Sequence, residues 1–334
     1  MKNLKFVFLL LIVTLCCPLQ VAWSAEKPKV ILLSTPFGTG SYALGSAFES
    51  IINKYDLPLT MTHTETPGQA FNIQKINQDA AARKNTIGMA GPATNWLAEH
   101  GKMPFKEKLD GLYLIGTFNV ASLWLATNDK NIKSIHDLAG KRIALGRVPQ
   151  IVWGYEPDVI LRKGYSEEFY KSLKIQFVGT SEASNALLNG QVDACVLGGY
   201  VDPDSGKFEA SPQTVEVLTA GRALIHLDWT KEAVEKAIAN DVPLIPYQLL
   251  AGTVEGMDKP IWSFTDPSSF VAHAEFPEEL AYQLTKTLIA RYAEFANFHA
   301  LGKLMTVRGL VFGWPVERIH PGSLRAFREA GIIK

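Results

Sequence analysis

The sequence predicts an α/β protein built as two lobes, and three observations carry that prediction. Short apolar runs bounded by turn residues alternate with segments of helical periodicity, the pattern of parallel strands joined by crossover helices. That alternation runs along the chain twice. The 334 residues exceed the roughly 250 that a single core usually holds, and 47% apolar against 20% charged residues is enough to bury two. Lys plus Arg equals Asp plus Glu at 33 each, with no long run of either sign. A nucleic-acid binder needs a basic stripe and an electrostatically recruited membrane protein a polybasic cluster, so no nucleic-acid partner is expected.

Residues 1–25 read as a signal peptide. Lys2 and Lys5 precede an apolar run over 6–17, followed by Pro18 and small residues over 22–25. The run is too short to cross a bilayer of about 30 Å as a helix. Cleavage after Ser24 or Ala25 would send the mature chain to the periplasm and leave Cys195 as its only cysteine. No intrachain disulfide is then possible, and Cys195, inside the apolar run 192–197, reads as a small buried hydrophobe.

In the first lobe, 30–33 reads as a strand and 41–55 as a helix with Leu44, Phe48, Ile51 and Ile52 on one face. A strand over 59–63, a helix over 70–82, a strand over 86–90 and a short helix over 93–100 stopped by Gly101 follow. Residues 112–127 are β-branched and aromatic for long enough to make two strands, or one strand that leaves the lobe. The second lobe starts with a capped turn over 134–138, Ser134 with Asp137 three residues on, and a strand over 141–145 entering Gly146. A helix over 157–163, a strand over 174–178, a helix over 182–188 ended by Asn189-Gly190 and a strand over 192–197 continue the pattern. Residues 202–212 are turn-rich, 230–239 helical and 243–260 loop-like; 270–274 alternates as a strand, 278–300 is the longest helical pattern, 308–322 is irregular, and 324–330 is the last helix. The chain is expected to pass between lobes near 120–127 and to return near 268–275. The first lobe is then 26–121 with 268–334, and the second 122–267.

Candidate binding residues cluster where strands turn into helices. Gly38-Thr39-Gly40-Ser41-Tyr42-Ala43-Leu44-Gly45 lies between a strand and a helix start, where free N–H groups and the helix dipole favour an anion. Its spacing is neither the dinucleotide fingerprint nor a phosphate loop, so a carboxylate suits it better than a pyrophosphate. Thr66-Pro67-Gly68-Gln69 and Gly91-Pro92-Ala93-Thr94-Asn95 are expected to open at the same sheet edge. The second lobe offers Arg147, Gln150 and Trp153 after one strand, and Gly198-Gly199-Tyr200 after another. Arg147 could clamp a carboxylate through paired hydrogen bonds, Trp153 could cover an apolar portion, and Tyr200 offers a phenol. No catalytic motif occurs, and the seven histidines never fall at i, i+4 spacing, so neither an enzyme, a metal nor a cofactor is expected.

With those residues in view the chain resembles the solute-binding subunits of TAXI-type TRAP transporters. The resemblance covers nearly the whole mature chain. It is most specific at residues 38–45 and at His320-Pro321-Gly322-Ser323-Leu324, with support from 132–142 and 186–194. It implies a two-lobed type II periplasmic binding protein fold, with the ligand cleft between lobes joined by hinge strands. It also implies capture of a small carboxylate such as glutamate or 2-oxoglutarate by a monomer, delivery to small and large membrane subunits, and loops at 38–42, 67–69 and 93–95 as ligand contacts. Where the family shows a small Gly/Ser-rich turn, this chain has Arg147-Val148-Pro149-Gln150 and then Trp153, so an anionic group paired with Arg147 is the expectation. A sensor subunit with the same clamshell is the alternative.

Overall fold

The structure is a computed structural model and describes residues 26–148, 150–239 and 243–334. The expected signal segment and Pro149 lie outside the described residues. In the first half, strand β1 (Lys29–Leu33) leads to helix α1 (Gly40–Lys54), strand β2 (Thr60–Thr64) to helices α2 (Gln69–Gln78) and α3 (Ala82–Asn85), and strand β3 (Thr86–Ala90) to helix α4 (Pro92–Glu99). Helix α1 begins where Thr39 Oγ1 accepts the N–H of Tyr42 at 3.1 Å. It packs inward through Leu44, Phe48, Ile51 and Ile52, all fully buried. The single helix expected over 70–82 is two, because the Asp79 carboxylate accepts the N–H groups of Ala81 and Ala82 at 2.9 and 3.2 Å and diverts the backbone.

Residues 112–127 form one strand, β4 (Tyr113–Thr127), which carries the chain into the second half. There strand β5 (Arg142–Gly146), helices α5 (Tyr155–Val159) and α6 (Glu167–Ser172), strand β6 (Lys174–Val178), helix α7 (Thr180–Leu188) and strand β7 (Ala194–Val201) follow. Next come strand β8 (Phe208–Ala210), helix α8 (Pro212–Thr219), strand β9 (Ile225–Leu227), helix α9 (Lys231–Ile238) and strand β10 (Ile245–Leu249). Strand β11 (Ile261–Ala272) then returns the chain to the first half, which is completed by helices α10 (Glu278–Arg291) and α11 (Pro321–Glu329).

The main sheet runs β2-β1-β3-β11-β4-β7-β5-β6. Each half repeats one order, the second, first and third of its own strands followed by a long strand that crosses between the halves. Within each half the first strand is parallel to both neighbours, and β4 and β11 run antiparallel from Phe264 opposite Leu123 to Ala272 opposite Tyr113. Val120 faces Pro267 and Asn119 faces Ser268 in this pair, close to both expected crossing points. The architecture is therefore a two-lobed mixed α/β fold in which crossover helices cover each half-sheet. No helix among the described residues is long and apolar enough to cross a membrane.

Several expected boundaries move. The strand expected over 270–274 is the end of β11, twelve residues long. Its remainder is hidden because both faces are buried, which abolishes alternation, and because Asp266-Pro267 has the composition of a turn. The loop-like stretch 243–260 contains β10, whose Pro246 is tolerated because β10 pairs only with β11. The turn-rich stretch 202–212 contains β8, which pairs with β7 at Gly199 opposite Ala210. Gly198-Gly199-Tyr200 therefore lies within a strand and not after one. The long helical pattern 278–300 stays α-helical to Arg291 and tightens into a 3₁₀ turn over Tyr292–Asn297. Cys195 is fully buried in β7, and burial pushes its thiol well up, as an inert core residue requires.

Candidate functional site

A cavity of about 130 Å³ opens beside the crossing strands, at the carboxyl ends of the parallel strands of both halves. The first residue of each of four helices lines it: Gly40 of α1 and Gln69 of α2 from the first half, Thr180 of α7 and Pro212 of α8 from the second. Ala121 and Ser268, on the crossing strands, also line it. Among the described lining residues none carries a charge.

The first-half wall is polar and close to the backbone. Gly38, with φ +84°, makes the turn that brings Thr39, Gly40 and Ser41 to the rim. Thr39 Oγ1 caps α1 and donates to the Pro36 carbonyl at 2.9 Å, while no hydrogen bond among the described residues engages the N–H groups of Gly40 and Ser41. Asn119 Nδ2 of β4 donates to Ser41 Oγ at 3.3 Å, tying the loop to the crossing strands. Gly68 adopts φ +134°, a conformation closed to residues with a side chain, and turns the chain into α2. Gln69 Oε1 accepts the Gly91 N–H at 2.9 Å and the Thr94 hydroxyl at 2.6 Å.

The second-half wall is apolar with amide tips. Ile151, Val152 and Trp153 present their side chains beside Gln150, Gln213 and Tyr200. Gln150 Oε1 accepts the Arg147 N–H at 3.0 Å. Burial pushes the Tyr200 phenol up to about 12, so it stays neutral and can donate.

Nine residues singled out from sequence meet in this cavity: Gly38, Thr39, Gly40, Ser41, Gly68, Gln69, Gln150, Trp153 and Tyr200. Four do not line it. Tyr42 packs edge-on between Phe37 and His63, at 5.2 and 4.6 Å. Thr94 is consumed by Gln69, and Asn95 pairs with the Leu112 backbone in both directions, at 2.7 and 3.3 Å. Arg147 is 61% exposed and gives its guanidinium to Glu182 at 3.0 Å. The third junction of the first half is thus structural, and the fixed positive charge expected at the rim is engaged elsewhere. Sequence reasoning missed Thr180, Gln213, Ala121 and Ser268. Thr180 carries a legible signal, since it opens a helix directly after a strand, whereas Ala121 and Ser268 become lining residues only through pairing across the long strands.

The sequence profile of the NMT1-like family matches residues 33–331. The chain belongs to the NMT1-like family. Among solved structures it is similar to MatC from Rhodopseudomonas palustris with bound malate, at 14% identity over 92% of this chain and 97% of the other, with a TM-score of 0.48. A TctC solute-binding protein from Polaromonas shares 14% identity over 84% and 88% of the two chains, with a TM-score of 0.47. The periplasmic aliphatic sulphonate-binding protein SsuA from Escherichia coli shares 12% identity over 83% and 79%, with a TM-score of 0.45. At these identities none of their ligands carries over to this chain.

Proposed function

We propose that this member of the NMT1-like family is the periplasmic solute-binding subunit of a TAXI-type TRAP transporter. It catches a small carboxylate-bearing solute of the glutamate or 2-oxoglutarate class between its lobes and presents it to the membrane subunits. The observation that supports this reading is the convergence of four helix N-termini, two from each half, on one uncharged cavity. The starts of α1, α2 and α7 offer unpaired N–H donors, α8, which opens on Pro212, offers the Gln213 N–H, and all four present the positive end of a helix dipole, so an anion entering from solvent finds compensation without a formal cation. Hydrogen bonds to a charged group contribute about 1.5–3 kcal/mol each.

Closure follows from the same geometry. A carboxylate bridging α1 and α2 on one side to α7 and α8 on the other gains all its partners only when the halves approach, so it binds the closed state better. Moving such an equilibrium from mostly open to mostly closed takes on the order of 5 kcal/mol of preference, within reach of two or three bridging contacts. Trp153, Ile151 and Val152 would cover the carbon skeleton and exclude water. The closed surface, complete across both lobes, is what a membrane partner would recognise.

Native mass spectrometry of the protein recovered from periplasmic extract identifies any solute carried through purification. A thermal-shift panel of amino acids, keto acids and dicarboxylates then ranks candidates for calorimetry. The expected outcome is stabilisation by carboxylates alone; stabilisation by neutral or cationic solutes alone overturns the reading.

A further inference from the structure

Below the cavity the crossing strands bury a pair of acids that the capture mechanism does not use. Asp266 lies on β11, two residues from the cavity-lining Ser268, and Glu156 lies on α5 of the second half, three residues beyond the cavity-lining Trp153. Both side chains are fully buried. The Asp266 carboxyl points into the first half, against Gly91 and the N–H of Ala93 at the start of α4; a Cβ built on Gly91 would come within 2.5 Å of Asp266 Oδ2. Glu156 reaches this carboxyl from the other half, close enough for the two side chains to hydrogen-bond once one of them carries a proton. None of the four carboxyl oxygens finds a fixed donor with sound geometry among the described residues. Among the described residues no charged group other than its partner acts on either acid.

Two ionised carboxylates in contact repel and have nothing to donate, and an uncompensated charge in this position is costly. We propose that Glu156 and Asp266 form a binding site for a single shared proton, and that this proton clasps the two halves together beneath the cavity. Its loss sets the two buried charges against each other across the crossing strands and opens the cleft. Burial raises both acids above the ordinary carboxylate range, and the charge of Asp266 adds to the rise at Glu156. Because the values are raised in the folded state, the stabilisation is complete at low pH and is lost as pH rises through them. Asp266 gives up its proton first and Glu156 holds the remaining one higher, so the shared proton is lost only as pH rises through the more strongly raised step of the pair. The proposal rests on the two-lobed reading of the function but not on the identity of the solute.

The test uses the solute-free protein, titrated from about pH 6 to about pH 9. Infrared difference spectroscopy reports a protonated carboxyl directly, and solution X-ray scattering reports opening through the radius of gyration. The expected result is a protonated carboxyl band that disappears over this range while the radius of gyration increases. Glu156→Gln supplies a permanent donor to Asp266, so both changes should be absent and the cleft should stay closed throughout. Asp266→Asn serves the same purpose if the first variant does not fold. Absence of the band in the unmodified protein, its persistence in Glu156→Gln, or its loss with no change in scattering each overturns the clasp. None of these outcomes bears on whether carboxylate solutes bind, which the solute panel decides separately.

Discussion

The two walls of the cavity meet a solute with different chemistry. The first-half wall is glycine, hydroxyl and backbone, set by turns at Gly38 and Gly68, and holds two helix N-termini against the opening. The second-half wall adds two more helix starts but fronts them with Ile151, Val152, Trp153 and Tyr200. One wall anchors charge, while the other covers carbon and excludes water. The difference teaches that affinity should depend on side chains in the second half and on backbone placement in the first.

Four substitutions sharpen or break that contrast, each measured by calorimetry against the solute found in the purified protein. Trp153→Ala removes the largest covering surface and is expected to weaken binding by about 2 kcal/mol, roughly thirtyfold, with little change in thermal midpoint. An unchanged affinity would mean that the apolar wall does not close on the solute. Gly68→Ala forces a side chain into a glycine-only conformation costing about 1–3 kcal/mol, so the turn into α2 relaxes. A loss of about tenfold in affinity with a lowered midpoint is expected, and normal binding would separate the turn from the anchor. Thr39→Ala deletes the cap that accepts the Tyr42 N–H and should cost about 1 kcal/mol of stability, with a severalfold loss of affinity as the first turn of α1 loosens. Arg147→Ala is the smallest. Arg147 and Glu182 are 61% and 60% exposed, and such surface pairs contribute about 0–1 kcal/mol, so affinity should change by less than about threefold. A tenfold loss would return the fixed charge to the site and undo the contrast between the walls.

Much of the fold was legible along the chain because short-range physics writes it there. The face of α1 through Leu44, Phe48, Ile51 and Ile52 shows as helical spacing. The strands of the parallel half-sheets show as apolar runs. Strand β11 did not, since a strand buried on both faces loses its alternation, and Asp266-Pro267 within it resembles a turn. Site residues divide in the same way. Gly38–Ser41 and Gly68-Gln69 were readable because a strand-to-helix junction is a local event. Thr94 and Asn95 share that signature and yet serve as structural hydrogen-bond partners, a role set by Gln69 and Leu112, which lie 25 and 17 residues away.

What the sequence determined by itself is the class of the protein and the location of its anion-friendly junctions, because periodicity, capping and turn chemistry act over a few residues. What only the tertiary structure decided is which junctions face one another. It spent Arg147 on Glu182, brought Thr180 and Pro212 opposite Gly40 and Gln69, and set Glu156 against Asp266 across more than a hundred residues of chain. The pairings between halves follow from the register of two long antiparallel strands, and that of Arg147 with Glu182 from the parallel pairing of β5 with β6; register is a property of the assembled sheet that no local stretch of sequence contains.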